Sequence, residues 1–375
     1  MAAAFQPQQN NPELKSSGHR RDMATTKKRT AKKAPAKKRR PDWARWEDDD
    51  LLDLRFRDLG IGIEGSWLEK VIGDLEGDLE RRGIGFRPHF WLSREWFSPE
   101  GIPGVAIPFY LAHPRLQRLE RSQMFEVEGG SREECLKLLR HEAGHAIQHA
   151  YQLQRLRSWQ RVFGPSSRRY PKFYRPNPAS RRYVQHLRLY YGQSHPVEDF
   201  AETFAVWLQS RTSWRRRYAG WAALEKLEFV DQLMETIGPK KAPVRTRRTV
   251  ESLSGLTMTL REHYAQKKEL YLRSYPDIYD RDLRELFSDD PRHARYELAS
   301  TFLRRNRTGI RHLVSRWTGE YEFTLEQVLD DMIGRCRELR LRAVGGERKL
   351  LIEFAVLLTV KTMSFHYTRR TWFAL

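Results

Sequence analysis

The sequence predicts an α+β protein that is mainly helical, with a small, mostly antiparallel sheet. Apolar residues recur at helical spacing through most of the chain after residue 42, whereas strand-like runs are short and lie between residues 104 and 127. The 375 residues are 39% hydrophobic and 31% charged, which suffices for one or two cores. We therefore expect a few strands packed beside several helices.

The chain opens with a basic segment that is too polar to bury a core. Residues 1–41 hold 12 lysines and arginines but only Glu13 and Asp22, and so carry half of the net charge of +20. This composition predicts a disordered tail. Such a tail binds nucleic acid or an anionic surface by releasing counterions, or it remains solvated, and the sequence leaves both readings open.

Two short strands are predicted before the first long helix. The run from Gly104 to Tyr110 is apolar, and Pro108 within it removes one ladder donor, which favours an edge position. The run from Met124 to Val127 ends at two glycines and predicts a second strand. Together they would form the sheet beside the following helix.

A capped helix is predicted from about residue 132 to about residue 152. Ser131 and Glu134 form the pattern of a capping box. An apolar stripe then follows at helical spacing and predicts that the helix is buried. Its members are Leu136, Leu139, Ala143 and Ile147.

This helix carries two histidines one turn apart. His141 and His145 lie on one face, so both imidazoles reach the same ion, and Glu142 between them points at a water on that ion. Zinc lowers the pKa of such a water, and the carboxylate takes its proton. The pattern therefore predicts a zinc site with one ion per chain and Glu142 as general base, a chemistry typical of metallopeptidases.

An open catalytic zinc site needs a third protein ligand. His149 lies one further turn along the helix and does not close on the same ion. The metzincin arrangement needs glycine at 148 and histidine at 151, where this chain has Gln148 and Tyr151, so that class is excluded. A later helix begins near Pro196 and places Glu198 and Glu202 on one face.

The motifs resemble those of gluzincins, and the wider text is similar to the bacterial family called putative zinc-binding metallopeptidases. The resemblance covers roughly residues 85–265 and rests on "FYLAHPRL", "HEAGHAIQHAY", "YRPNPASRRYVQHL" and "HPVEDFAETFAVWL". It implies a zincin-like catalytic domain. It also implies that His141, His145 and Glu198 bind zinc, that Glu142 is the base, and that Glu202 supports a ligand histidine.

Further site residues are expected around this centre. A tyrosine, histidine or arginine near the third ligand stabilises the oxyanion in such enzymes. We favour Tyr191, because lethal factor, another gluzincin, has a tyrosine at a similar distance before its zinc glutamate; packing is the alternative role. An extended peptide would add to the strand at Ala106 and Ile107, unless that strand is simply buried, and His195 is a third candidate for substrate binding.

The segment between the two parts of the metal site is basic and aromatic. Residues 143–197 contain no aspartate or glutamate, and ten lysines and arginines lie from Arg155 to Arg188. Several prolines predict an irregular loop that forms a wall of the cleft. If its cations face the cleft, they favour acidic peptides or proteins bound to nucleic acid as substrates. Alternatively, the acidic segments Glu47–Asp53 and Glu64–Glu80 cover these arginines.

Three regions are predicted: the tail 1–41, a metallopeptidase domain 42–245 and a helical C-terminal region 246–375. A Gly-Pro-rich linker starts at Gly238. The apolar run "LLIEFAVLLTV" contains Glu353 and Lys361, so it predicts a buried helix rather than a membrane span.

The compartment is predicted from two further observations. The N-terminus is not followed by the apolar segment of a secretory signal, and the only cysteines, Cys135 and Cys336, lack the spacing of a metal site. We therefore expect a cytoplasmic protein without a disulfide framework.

The leading functional hypothesis is a zinc-dependent peptidase, most simply an endopeptidase. A second is a nucleic-acid-associated metalloprotein that is localised by its basic tail. A third is a zinc-binding structural or interaction protein without turnover.

Overall fold

The computed structural model describes residues 43–171, 173–174, 176–209, 213–271, 279–368 and 373–374. The predicted basic tail, residues 1–41, lies outside this range. The fold is mainly helical, as predicted. Its α-helices up to residue 237 are α1 Asp48–Leu52, α2 Trp67–Arg81, α3 Pro114–Met124, α4 Arg132–Tyr151, α5 Arg157–Phe163, α6 Pro196–Leu208, α7 Trp214–Arg217 and α8 Ala223–Ile237.

The remaining helices lie in the C-terminal part of the chain, where helical patterns were predicted. They are α9 Leu260–Tyr271, α10 Asp280–Leu286, α11 Ala299–Thr318, α12 Glu322–Glu338 and α13 Glu347–Thr368. The strands are β1 His89–Ser93, β2 Gly104–Pro108, β3 Phe173–Tyr174 and β4 Phe373–Ala374.

The sheet beside the metal helix differs from the prediction in its direction. Strands β1 and β2 pair in parallel, with His89 opposite Gly104, whereas a mostly antiparallel sheet was expected. Two parallel strands cannot be joined by a tight hairpin, and the connection, residues 94–103, instead buries Trp96 and forms an isolated antiparallel bridge between Phe97 and Ala106. The short β3 and β4 strands form a separate antiparallel pair.

The predicted strand from Met124 to Val127 is wrong. Helix α3 continues to Met124, and Phe125 then adopts the left-handed conformation with φ 67° while its N–H bonds the Arg121 carbonyl. Apolar periodicity along α3 therefore extends into the run that resembles a strand, and the helix cap consumes the backbone donor that a ladder would need.

Two large hydrophobic cores account for most of the buried apolar residues in the described part of the chain. The larger contains β1, β2 and the helices from α1 to α8, and it extends through Leu260 and Tyr264 of α9. The smaller contains α10 to α13 and begins at Tyr279. The change of core thus falls after residue 264, and the domain boundary at 245/246 remains a prediction.

Helix α13 is only partly buried, which corrects the prediction of a buried helix. Phe354 and Leu358 face the smaller core, but Ile352, Val356 and Val360 are each more than half exposed. In the described part of the chain, no helix combines the length and apolarity needed to cross a bilayer.

Candidate metal centre

Three side-chain atoms from two helices converge on one point. The Nε2 atoms of His141 and His145 lie 3.1 Å apart, and each lies 3.1 Å from Oε2 of Glu198. Both histidines come from α4 and the glutamate from α6. Among the described residues, this is the group of histidine, cysteine and acidic side chains arranged to hold a metal ion.

Close packing of α4 against α6 brings these atoms together. Ser131 caps α4 by accepting the Glu134 N–H at 3.2 Å, which agrees with half of the predicted capping box. Midway along α4, Gly144 lies against Ala201 of α6, where an added Cβ would meet the Ala201 Cα at 2.9 Å. The glycine inside the histidine motif therefore permits the approach that places Glu198 between the two imidazoles.

Glu202 fixes the orientation of His141. Its Oε1 accepts a hydrogen bond from Nδ1 of His141 at 3.0 Å, and its Oε2 accepts the Leu187 N–H at 2.8 Å. A proton on Nδ1 leaves the lone pair of Nε2 facing the cluster, which is the arrangement a metal ligand needs.

Sequence reasoning missed the partner of the second Glu198 oxygen. The Tyr170 hydroxyl donates to Oε1 of Glu198 at 2.7 Å, so only Oε2 is directed at the histidines. Tyr170 also stacks on His195, with ring centroids 3.8 Å apart. It lies in the irregular loop predicted as a cleft wall, where no periodicity indicates which aromatic residue reaches the site; the aromatic composition of the loop was the available signal.

Glu142 is the least satisfied group of the centre. It is 1% exposed, and neither of its carboxylate oxygens has a hydrogen-bond partner. Burial raises the pKa of this carboxyl, although the nearby histidines oppose the effect. Since buried polar groups in proteins are almost always bonded, a partnerless carboxylate here points to a missing polar ligand.

The electrostatics of the cluster favour a cation. Burial alone would lower the pKa of His141, but hydrogen bonds to Glu198 and Glu202 and their charges raise it to about 10. Burial alone would raise the pKa of Glu198, but both histidines stabilise its charge and hold this pKa well below its usual value. The two carboxylates therefore stabilise positive charge at the point where the ligand atoms meet.

The donor set fits zinc. Tetrahedral zinc with bonds of about 2.0–2.1 Å keeps its ligand atoms about 3.3 Å apart, close to the 3.1 Å separations of this cluster. Two imidazole nitrogens and one carboxylate oxygen are also the ligands that catalytic zinc sites use, with a fourth position left for water or substrate.

Tyr191 and His195 both lie next to the cluster. The Tyr191 ring is 5.7 Å from that of His141, and its hydroxyl is buried without a hydrogen-bond partner. His195 instead caps α6: its Nδ1 accepts the Val197 N–H at 3.3 Å and its Nε2 donates to the Arg168 carbonyl at 2.7 Å. Both of its ring nitrogens are therefore engaged within the chain rather than directed at a substrate.

The structure does not bring Ala106 and Ile107 to a free sheet edge. Both residues are fully buried, and the Ala106 N–H already bonds the Phe97 carbonyl at 2.8 Å. Strand β2 packs against α4, the helix that carries His141 and His145. Its described contacts are those of a buried strand, the alternative that the sequence left open.

The acidic segments near the start of the described chain do not cover the basic insert. Asp48 pairs with Arg115 of α3, Asp53 with Arg261 of α9, and Asp78 with Arg140 of α4. The insert arginines outside the masked positions remain on the surface. Eight of them are exposed: Arg155, Arg157, Arg161, Arg168, Arg169, Arg181, Arg182 and Arg188.

Asp199, next to Glu198, has a structural partner. Its Oδ2 accepts from Nζ of Lys226 in α8 at 2.6 Å, and Lys226 lies over the Tyr183 ring. Burial raises the pKa of Asp199 to about 7 against the opposing charge of Lys226. The pair joins α6 to α8.

Comparison with known proteins supports the motif-based resemblance. No curated protein matches the chain, and no solved structure does. Residues 119–266 match the model of the family described as "Putative zinc-binding metallo-peptidase", and this stretch contains α4, the basic insert and α6. The resemblance predicted from the motifs is therefore confirmed over residues 119–266, which are similar to that family of zinc-binding metallopeptidases.

Proposed function

We propose that the protein is a zinc-dependent peptidase in which Glu142 acts as the general base. One observation carries the proposal: a buried carboxylate without any partner adjoins three ligand atoms that converge at 3.1 Å. A structural zinc site has no need for such a carboxylate, whereas hydrolysis needs a base beside the reacting water.

Each residue has a distinct task in this proposal. His141, His145 and Glu198 hold the ion, and Glu202 keeps the His141 lone pair directed at it through the 3.0 Å bond to Nδ1. A bound zinc would supply Lewis acidity and lower the pKa of water in the open fourth position. Glu142 takes the proton of the attacking water on its carboxylate and returns one to the leaving amine nitrogen.

We also propose that Tyr191 stabilises the developing charge on the substrate carbonyl. Its hydroxyl is buried without a partner beside His141, so it can donate without first breaking an internal bond. The Tyr170 hydroxyl is engaged by Glu198 at 2.7 Å, so its task is to hold that ligand.

The decisive test replaces Glu142 with glutamine. We expect Glu142→Gln to retain about one zinc per chain and to lose peptide hydrolysis by a factor of about 10² or more, because general-base catalysis is removed while the ligands remain. Zinc content is measured on the purified protein, and hydrolysis on a mixed peptide library. Glu133→Gln is the matched control, an exposed carboxylate on the same helix, and should hydrolyse normally.

A second candidate function is zinc binding without turnover, and the burial of the centre favours it. His141 is fully buried and His145 is 8% exposed, so little of the centre is open to a substrate. If wild-type protein with one zinc cleaves no peptide, this second function replaces the first. If Glu142→Gln cleaves as fast as wild type, the protein is a peptidase and Glu142 is not its general base.

A further inference from the structure

A basic pocket lies outside the metal centre, beside the start of β1 and the linker that follows α8. Its volume is about 340 Å³. Five of its lining residues are cationic, and its lining contains no aspartate or glutamate. The cationic residues are Arg87, Lys240, Lys241, Arg245 and Arg247.

These cations have no acidic partner within the described part of the chain. Arg87 donates only to the carbonyls of Ile84 and Phe86, and Arg245 donates to the Ala242 carbonyl at 2.7 Å. Lys240, Lys241, Arg245 and Arg247 are exposed. A concave surface of a single charge sign raises the local concentration of anionic ligands.

The backbone around the pocket is anchored by hydrogen bonds, so the cationic side chains extend from fixed backbone positions. Gly85 N–H donates to the Gly238 carbonyl at 2.9 Å, which joins the two sides of the pocket. The linker is tied to the end of α4, because the Tyr151 hydroxyl donates to the Lys240 carbonyl at 2.8 Å and Val244 N–H donates to the Ala150 carbonyl at 3.1 Å. Preorganisation of this kind lowers the entropic cost of binding.

The pocket adjoins the helix that carries the metal ligands. Six residues, or about 9 Å along the helix axis, separate His145 from Tyr151. The loop before β2 also touches this end of α4, since the Gly101 N–H donates to Nδ1 of His149 at 3.4 Å. An extended peptide advances about 3.3 Å per residue, so it spans this distance in about three residues.

We propose that the basic pocket is an exosite that binds an acidic segment of a peptide substrate, at least about three residues from the bond that is cleaved. The inference rests on the proposed peptidase function. The volume of the pocket equals that of about eleven waters at about 30 Å³ each. This is larger than one small anion and is enough for several carboxylate side chains. Four exposed cations spread along an open lining also match a chain of charges better than a single point charge.

Binding is tested separately from hydrolysis. The full chain carrying Glu142→Gln is titrated, at low salt, against a fluorescein-labelled peptide with three consecutive glutamates, and against the same peptide with glutamines. We expect the glutamate peptide to bind roughly tenfold more tightly or better, and high salt to remove the difference. Equal binding of the two peptides would overturn the exosite.

Two double variants locate the effect. Lys241→Glu with Arg247→Glu reverses charge in the pocket, where neither side chain makes a described contact, and should weaken the glutamate peptide at least roughly tenfold. Arg295→Glu with Arg348→Glu makes the same charge change on exposed positions near the smaller core and should leave affinity within about twofold. Equal loss in both double variants, or tighter binding of a single-stranded oligonucleotide through the same pocket residues, contradicts the proposal.

Hydrolysis by the chain with Glu142 intact distinguishes a failure of the exosite from a failure of the peptidase function. Cleavage of both peptides with equal kcat/KM would contradict the exosite and support the peptidase function. Cleavage of neither peptide, together with pocket-dependent binding of the acidic one, removes the peptidase and with it the substrate role of the pocket. A preference for the acidic peptide that Lys241→Glu with Arg247→Glu abolishes supports both.

Discussion

Gly144 lies where the two helices of the metal centre touch, and Gly144→Ala tests whether their spacing sets the zinc affinity. An alanine Cβ at this position would lie 2.9 Å from the Ala201 Cα, 3.2 Å from its carbonyl oxygen and 3.4 Å from its Cβ. The nearest of these atoms is backbone, so no side chain can rotate away. Helix α4 must therefore move relative to α6.

Carbon atoms in ordinary contact lie about 3.5 Å or more apart. The 2.9 Å contact must therefore lengthen by at least about 0.6 Å, and the two helices must move apart by that amount. The histidine ligands lie on α4 and Glu198 on α6, so their 3.1 Å separations would widen to about 3.7 Å, beyond the roughly 3.3 Å of tetrahedral zinc. Overpacking costs about 1–3 kcal/mol, and alanine recovers about 1 kcal/mol in helix propensity. We expect zinc affinity to fall at least about tenfold, or about 1.4 kcal/mol.

The assay is a competition titration of zinc against a chelating indicator, paired with urea unfolding of the metal-free protein to separate folding from ligation. Gly73→Ala is the matched control, because Gly73 is inside α2 and an added Cβ there meets no atom within 4 Å. The control should gain about 0.5–1 kcal/mol of stability and keep its zinc affinity. Native zinc affinity in Gly144→Ala, within about twofold, would refute the reasoning.

Three further predictions follow from contacts of the site. Glu198→Ala should lose zinc outright, whereas Glu202→Ala should bind it about 10–100-fold more weakly, because Glu202 only orients a ligand; equilibrium dialysis measures both. Tyr170→Phe should weaken zinc binding about tenfold, since the 2.7 Å bond that fixes the Glu198 carboxylate is lost. Burial lowers the pKa of His186 from 6.5 to about 4. The free energy of unfolding should therefore fall by up to about 1.4 kcal/mol per pH unit as the pH drops through that range. His186→Gln should reduce this dependence of stability on pH, which urea unfolding with chelator present measures.

The direction of the pH effect follows from the lowered pKa of His186, and each prediction has a control variant. Below pH 6.5 the unfolded chain takes up a proton that folded His186 refuses, so acid favours unfolding. His312→Gln, at a side chain that is 77% exposed, should keep the native slope. Tyr151→Phe removes a hydroxyl bond to the Lys240 carbonyl, outside the candidate metal centre, and should bind zinc normally. A stronger zinc defect in Glu202→Ala than in Glu198→Ala would mean that the wrong carboxylate was assigned.

Local patterns predicted the helices of the site well. The cap at Ser131, the apolar stripe after it and Pro196 near the start of α6 each act within a few residues of the chain, so the observed helices match the predicted ones closely. Met124–Val127 was predicted wrongly because an apolar run that short fits either a helix end or a strand. The parallel pairing of β1 with β2 is a tertiary feature that the spacing of apolar residues within each strand does not indicate.

The sequence by itself determined where the candidate metal centre lies, because helical geometry alone places His141 and His145 on one face with Glu142 between them. Only the tertiary structure decided how that centre is completed. The Glu198 oxygen that meets the histidines, the Tyr170 hydroxyl that holds the other oxygen, and the basic pocket at the far end of α4 all depend on contacts between distant segments. Such contacts arise from packing, as at Gly144, and packing has no period that a sequence can display.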